Sequence, residues 1–196
     1  MIKTAFISLF ILLNIPAFAQ YNTKVYNQYV DFNEAQYNKQ PNIALQKADS
    51  ILNNPEKLPT KTQTNFYRSL AKLYEDQNQP EKSIIYNEKV VAAVPDYYVS
   101  HRALGYLYLL PMNALVEKLN QSKTNLNDQQ KYKTQYFSLI KKALPHLEKA
   151  EACDHDQDTL TLIKSLYQRI NDQTGLASLT NRLNLLKAHC IDLLID

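Results

Sequence analysis

Apolar side chains recur along this chain at intervals of three and four, in stretches separated by short polar turns that carry Asn or Pro. That period is the signature of amphipathic helices, not strands. The pattern predicts a first helix over 21–37, with Tyr26, Tyr29, Val30 and Tyr37 on its apolar side, then a turn at Asn38, Lys39 and Gln40. Pro41 opens a second helix whose stripe is Ala44, Leu45, Ala48, Ile51 and Leu52. Thr60 followed by Gln63 reads as a capping box after Pro59, starting a third helix with Tyr67, Leu70, Ala71 and Tyr74 on one face. Asn78 and Gln79 make the next turn, Pro80 opens the fourth helix, and Ile84, Ile85, Val90 and Val91 supply its core side.

Part of this pattern repeats in phase. Leu70, Ala71 and Tyr74 return 34 residues later as Leu104, Gly105 and Tyr108. A fixed period of that size marks helical hairpins that bury their apolar faces by stacking on neighbours. The echo then slips: Ser83, Val90 and Pro95 find their equivalents at Ala143, Ala150 and His155, 60 residues on, so the third hairpin holds about 26 extra residues. Ala114, Val116 and Leu119 are expected to continue its first helix. Asn127 with Gln130 caps the second, along which Tyr136, Ile140, Ala143, Leu147 and Ala150 are spaced, with a bend at Pro145. The reading is two lengthened helices projecting from the array. A last hairpin pairs Leu160, Ile163, Leu166 and Tyr167 with the stripe Leu176, Leu179, Leu183, Leu186, Cys190 and Leu193. That stripe suits a capping helix or a pairing surface.

The first nineteen residues stand apart. MIKTAFISLFILLNIPAFA has Lys3, an apolar run from Ala5 to Leu13, Pro16, and the small residues Ala17 and Ala19 around Phe18. This is the layout of a signal peptide cleaved after Ala19, and the run is shorter than a spanning helix needs. Residue 20 is Gln, not Cys, so the expectation is a periplasmic or secreted protein that is not a lipoprotein. Residues 20–196 then suit a single domain with no transmembrane segment. The whole chain carries a formal charge of +3, too small and dispersed to point to nucleic acid. Only two glycines and no tryptophan occur, which disfavours sandwiches and barrels and excludes a glycine-rich phosphate loop.

At Tyr67, Leu70, Ala71, Tyr74, Ser83, Val90 and Pro95, and again at Leu104, Gly105 and Tyr108, the chain resembles the tetratricopeptide repeat family. The run from Lys141 through Gln173 is also similar to the closing part of exported repeat proteins of Bacteroidota type. The resemblance implies an all-α, right-handed α-solenoid of about four helical hairpins, the third lengthened. It implies binding of a protein or peptide in a concave groove lined by the first helix of each unit, with no catalysis and no cofactor. Carried over position by position, the groove-facing residues are Asn65, Arg68, Lys72 and Asp76, then Arg102 and Tyr106. Arg68, Lys72 and Arg102 would then project into one concave surface, either as a grip for the carboxylates of an acidic segment or chain terminus or as a solvated face of long polar side chains. Ser83 and Asn87 depart from the family's pattern and would loosen their hairpin.

Two cysteines remain. Cys153 and Cys190 are 37 residues apart, about one repeat, and export would expose them to oxidation. They are either a disulfide or two buried thiols. With His155 and His189 they also invite a zinc reading. Adjacent residues on a helix point about 100° apart, however, so His189 and Cys190 could hardly ligate one ion together, and no metal site is expected. His101 and His146 read as structural. The expected function is a non-catalytic adaptor or assembly factor acting on an envelope protein or peptide. Two alternatives stand beside it: binding of a small ligand or glycan by some of the fourteen tyrosines, and self-association through the C-terminal helix and its IDLLID end.

Overall fold

Three of the turns are the same piece of chemistry. Lys39, Asn78 and Asn171 take left-handed backbone conformations, with φ of 54°, 53° and 56°. The amide that follows each one reaches back to the helix behind it. Gln40 donates to the Ala35 carbonyl, Gln79 to Tyr74 and Asp172 to Tyr167, at 2.9, 2.9 and 3.0 Å. This is the Schellman closure, which satisfies orphan carbonyls and reverses the chain in three residues. Asn tolerates the left-handed region better than most residues, which suits two of the three positions. Pro41 and Pro80 then start the returning helices, where a missing N–H costs nothing.

In the computed structural model, residues 24–194 are described, and their fold is all-α; the signal-peptide reading falls outside them. The helices are α1 (Lys24–Tyr37), α2 (Pro41–Leu52), α3 (Thr60–Asp76), α4 (Pro80–Ala93), α5 (Tyr98–Leu109), α6 (Met112–Gln121), α7 (Leu126–Cys153), α8 (Gln157–Arg169) and α9 (Gln173–Leu186). The hairpin partners are α1 with α2, α3 with α4, α5 with α7, and α8 with α9. The α4–α5 contact and the packing of α7 on both α8 and α9 join them.

Two apolar clusters result. The first centres on Phe32, Phe66, Leu70 and Tyr74; the second on Leu104, Ile140, Leu147, Ile163 and Leu166. The crossing of α5 and α7 depends on Gly105. A Cβ there would lie 2.5 Å from Leu147 Cδ2 and 3.2 Å from its backbone nitrogen. No rotamer change of Leu147 relieves the backbone approach, so the glycine sets how closely these helices meet.

Several local expectations are corrected. The buried face of α1 is Val25, Tyr29, Phe32 and Ala35. Val30 is exposed and Tyr37 is 88% exposed. Val30 sits one position beyond Tyr29, about 100° round the helix, and so misses the stripe that meets Phe66. Pro59, with no side-chain acceptor, occupies the N-cap of α3, so the Thr60–Gln63 box does not form. Asn125, not Asn127, caps α7; its Oδ1 accepts from the amides of Asn127 and Asp128 at 3.1 and 3.2 Å. Ser83 and Asn87 do not leave their hairpin loose. Both are buried, and Asn87 Nδ2 donates to the Ser83 carbonyl and Oγ at 3.2 and 3.3 Å.

The lengthened hairpin is three helices, α5, α6 and α7, where two were expected. Pro111 cannot donate to the Leu107 carbonyl, and its ring crowds that group. The carbonyl takes the Leu110 amide at 3.3 Å, and the chain breaks before α6. Ala114, Val116 and Leu119 therefore lie on a separate helix, packed on α7 with Leu115 as its buried residue. α7 runs 28 residues, about 40 Å, and stays helical through Pro145. At the other end α9 stops at Leu186, leaving Cys190 and Leu193 outside the expected stripe.

Candidate functional site

An open cleft of about 880 Å³ is bounded by the end of α1, by α3 and by α5. Arg68, Lys72, Arg102 and Tyr106 all line it. Asn65 does not: it is buried, with 6% exposure, inside α3. Asn65 lies one turn before Arg68 but is enclosed by neighbouring elements, as Thr62 and Phe66 of the same helix are.

Two of the three cations have ion-pair partners within the chain. Lys72 pairs with Asp76 one helical turn on, and this hydrogen bond holds its ammonium above the ordinary lysine value. Arg68 lies near Tyr97, whose hydroxyl is raised chiefly by burial and drawn down by the Arg68 charge. Arg102 grips Asp154 with two nitrogens, reaching Oδ2 and the backbone carbonyl at 2.7 Å each, and lies over the Tyr98 ring. Tyr106 shares a 2.7 Å hydrogen bond with Thr159 of α8. Two donor atoms at this cleft remain unsatisfied among the described residues: the buried Nε of Arg102 and Nε2 of Gln36.

A second constellation closes the C-terminal end. Cys153, the last residue of α7, is bonded to Cys190, with Cα atoms 5.5 Å apart. Beyond it the chain lies along the α4–α5 corner. The Ile191 amide donates to the Asp96 carbonyl at 2.8 Å, and the Tyr98 amide donates to Ile191 at 3.1 Å. Beneath this strap Lys149, only 5% exposed, gives its ammonium to Asp96 at 2.7 Å and to the carbonyls of Leu186 and His189. These bonds explain why α9 ends early, since Lys149 and the bond to Cys153 hold the chain in a non-helical path. His155 and His189 gather no metal set with the sulfurs, which are spent on each other; among the described residues no group of three or more His, Cys, Asp or Glu is placed to hold an ion.

Sequence reasoning missed the ionic groups on the same helix. Glu148 is 4% exposed and receives Arg182 Nε and Nη2 at 2.8 and 2.7 Å, together with the Tyr167 hydroxyl. Burial first, and then this carboxylate, push the Tyr167 hydroxyl well above its usual range. Hydrogen bonding to Glu148 is the main cause that raises Arg182. Glu151 takes the His155 ring and the Asp156 amide, the latter at 3.0 Å. The signal was there in outline: Arg182 interrupts a leucine-rich helix, and a lone cation on an apolar face needs a buried partner.

His101 and His146 meet at 3.0 Å through their Nδ1 atoms, and His101 Nε2 faces the Pro95 carbonyl at 3.0 Å. The carbonyl requires a proton on His101 Nε2, so His101 Nδ1 accepts and His146 Nδ1–H donates. Burial lowers both rings, His146 to about 4.

No helix of the described residues is long and apolar enough to cross a membrane. Comparison with known proteins returns no match, whether to a family model, to a curated protein or to a solved structure.

Proposed function

We propose that the chain is a non-catalytic, tetratricopeptide-like interaction module, an exported adaptor or assembly factor that holds a peptide segment of an envelope protein in the cleft between α3 and α5. The hairpin order and the 34-residue echo of α3 in α5 support a right-handed solenoid reading, in which first helices line the inner groove. The observation that carries the proposal is the open cleft of about 880 Å³ that Arg68, Lys72 and Arg102 line together. Cations gathered at one cleft suit the carboxylates of an extended peptide or chain terminus. Exposed Val99, Tyr106 and Leu110 add apolar contact at the same place.

The alternatives draw less from the molecule. Stacking on a glycan needs open tyrosine faces, whereas Tyr29, Tyr74, Tyr97, Tyr108, Tyr136 and Tyr167 are buried at helix seams. Self-association through the last helix needs a free stripe, and Leu176, Leu179 and Leu183 are packed against α7 and α8. The test is a photo-crosslinking amino acid placed at Val99 in the exporting cell, with Leu185 as an exposed control. A specific adduct from Val99 that weakens with Arg68→Glu is expected. The same adducts from Leu185, or none from Val99, would sink the reading.

A further inference from the structure

The arm formed by α6 and the first half of α7 is chemically unlike the rest of the chain. Between Pro111 and Lys142 there are six lysines and only two acids, Glu117 and Asp128, a net +4 within a protein whose total is +3. Everything outside the arm therefore sums to −1. None of the six lysines makes an ion pair among the described residues, while Lys47, Lys72, Arg102, Lys149 and Arg182 elsewhere do. Lys118, Lys131 and Lys133 instead rest over the rings of Tyr132 and Phe137. Such a field is uncompensated, and it draws in opposite charge.

The arm is also hollow in two places. A cleft of about 750 Å³ opens between α6, the start of α7 and the end of α8. Leu119, Tyr136 and Phe137 line it, Leu126 stands beside them 76% exposed, and Lys133 and Arg169 supply charge. A smaller cleft of about 460 Å³ between α6 and α7 includes Lys118. No acidic residue lines either one.

We propose that this arm is a second docking surface, for an acidic polypeptide segment that also carries apolar side chains, separate from the cleft between α3 and α5. Charge complementarity selects the occupant. Residues 1–23 contain Lys3 and no acid, so the chain's own N-terminal segment does not supply it. The apolar residues sit in concave clefts, which receive projecting side chains better than they rest on a bilayer. Arg169 already holds the Tyr136 hydroxyl at 3.0 Å and keeps further donors for a carboxylate.

The test is selection of short random peptides displayed on phage against the oxidised full-length protein. Enriched peptides should combine Asp or Glu with aliphatic or aromatic residues. Synthetic copies should lose affinity by roughly tenfold or more to Lys133→Glu with Lys118→Glu, and by a similar factor when their own acids become amides. Added salt should weaken binding. Arg68→Glu should leave it unchanged, which separates this surface from the cleft between α3 and α5. Both lysines are exposed and make no hydrogen bond, so the variants should melt with the parent protein. The proposal is overturned by enriched peptides without acidic bias, or by acidic peptides indifferent to the lysine reversals. Sedimentation with phosphatidylglycerol vesicles that the same reversals abolish would assign the arm to a membrane surface instead.

Discussion

In the first two hairpins Phe32 stands edge-on to Phe66 at 5.1 Å and Tyr86 lies flat on Tyr74 at 5.6 Å. At the foot of α7, by contrast, Glu148, Lys149 and Glu151 are buried within four residues of one another and are held by groups from α9, the α4–α5 corner and the start of α8. No charged side chain is buried in α1–α4 among the described residues. Aromatic packing tolerates sliding and repacking, because dispersion and burial have little direction. A buried carboxylate that needs three specific donors does not. The first hairpins are therefore fixed by shape and the last ones by pairing. The pairing sits where α7, α8, α9 and the strap must all agree.

Two substitutions break this comparison most sharply. Phe66→Ala should cost about 3–5 kcal/mol in denaturant unfolding, through lost burial and the cavity left behind. Glu148→Ala should cost about 3 kcal/mol, near the lower end for a broken buried pair because Arg182 retains some solvent access. The two differ in how they can be rescued. Replacing Glu148, Tyr167 and Arg182 together by Leu, Phe and Leu should restore most of the loss, since no charge is then left unpaired. Rescue by the triple variant with none for Phe66→Ala by any single partner change is the expected result. A triple variant as weak as Glu148→Ala would show that the ionic set is not the organising element.

A smaller effect is expected at the clasp. Cys153→Ser should cost about 2 kcal/mol, the low end for a disulfide, because α9 stays packed on α7 and α8 without it. The local consequence should exceed the global one. Amide exchange at Ile191 and Tyr98 should accelerate in the variant and in the reduced protein, while Leu70 and Phe66 keep their protection. Unchanged exchange at Ile191 would mean that Lys149, not the sulfur bond, holds the strap.

The same comparison explains what the residues disclosed beforehand. Periodicity located the turns at Lys39 and Asn78 and the stripes of α2 and α3, because side-chain spacing decides those features. It misplaced part of the face of α1, where Tyr26 and Tyr29 pack but Val30 and Tyr37, equally apolar, do not. It joined α6 to α5 because the stripe of Ala114 and Leu119 outweighed the one proline between them. The strap was illegible for a different reason. Leu186 to Leu193 keeps a helical stripe, and only tertiary bonds to Lys149, Cys153 and Asp96 pull it out of that path. Of the site residues, Arg68, Lys72, Arg102 and Tyr106 fall at one cleft because α3 and α5 echo each other, whereas Asn65 is buried and does not line it.

The least effect at neutral pH belongs to the His101–His146 pair, which bridges α5 and α7 in the half organised by pairing. Both rings titrate below the ordinary histidine value of about 6.5, His146 near 4, because burial disfavours the imidazolium. Well above pH 6.5 neither the folded nor the unfolded chain protonates these rings, so they contribute no pH dependence there. As the pH falls from 6.5 toward 4, the unfolded chain takes up protons that the folded one refuses, and stability declines. Two charged rings at 3.0 Å would also repel each other. The melting temperature should therefore fall across that window, and His146→Gln should flatten the fall, since one proton-accepting ring is gone and His101 keeps its Pro95 partner. An undiminished slope in His146→Gln would take the acid sensitivity of that window away from this pair. Asp96 and Asp156 do not supply it: their carboxyls are held low mainly by hydrogen bonds to Lys149 and Thr159, and their contribution is lost only at lower pH, as they protonate.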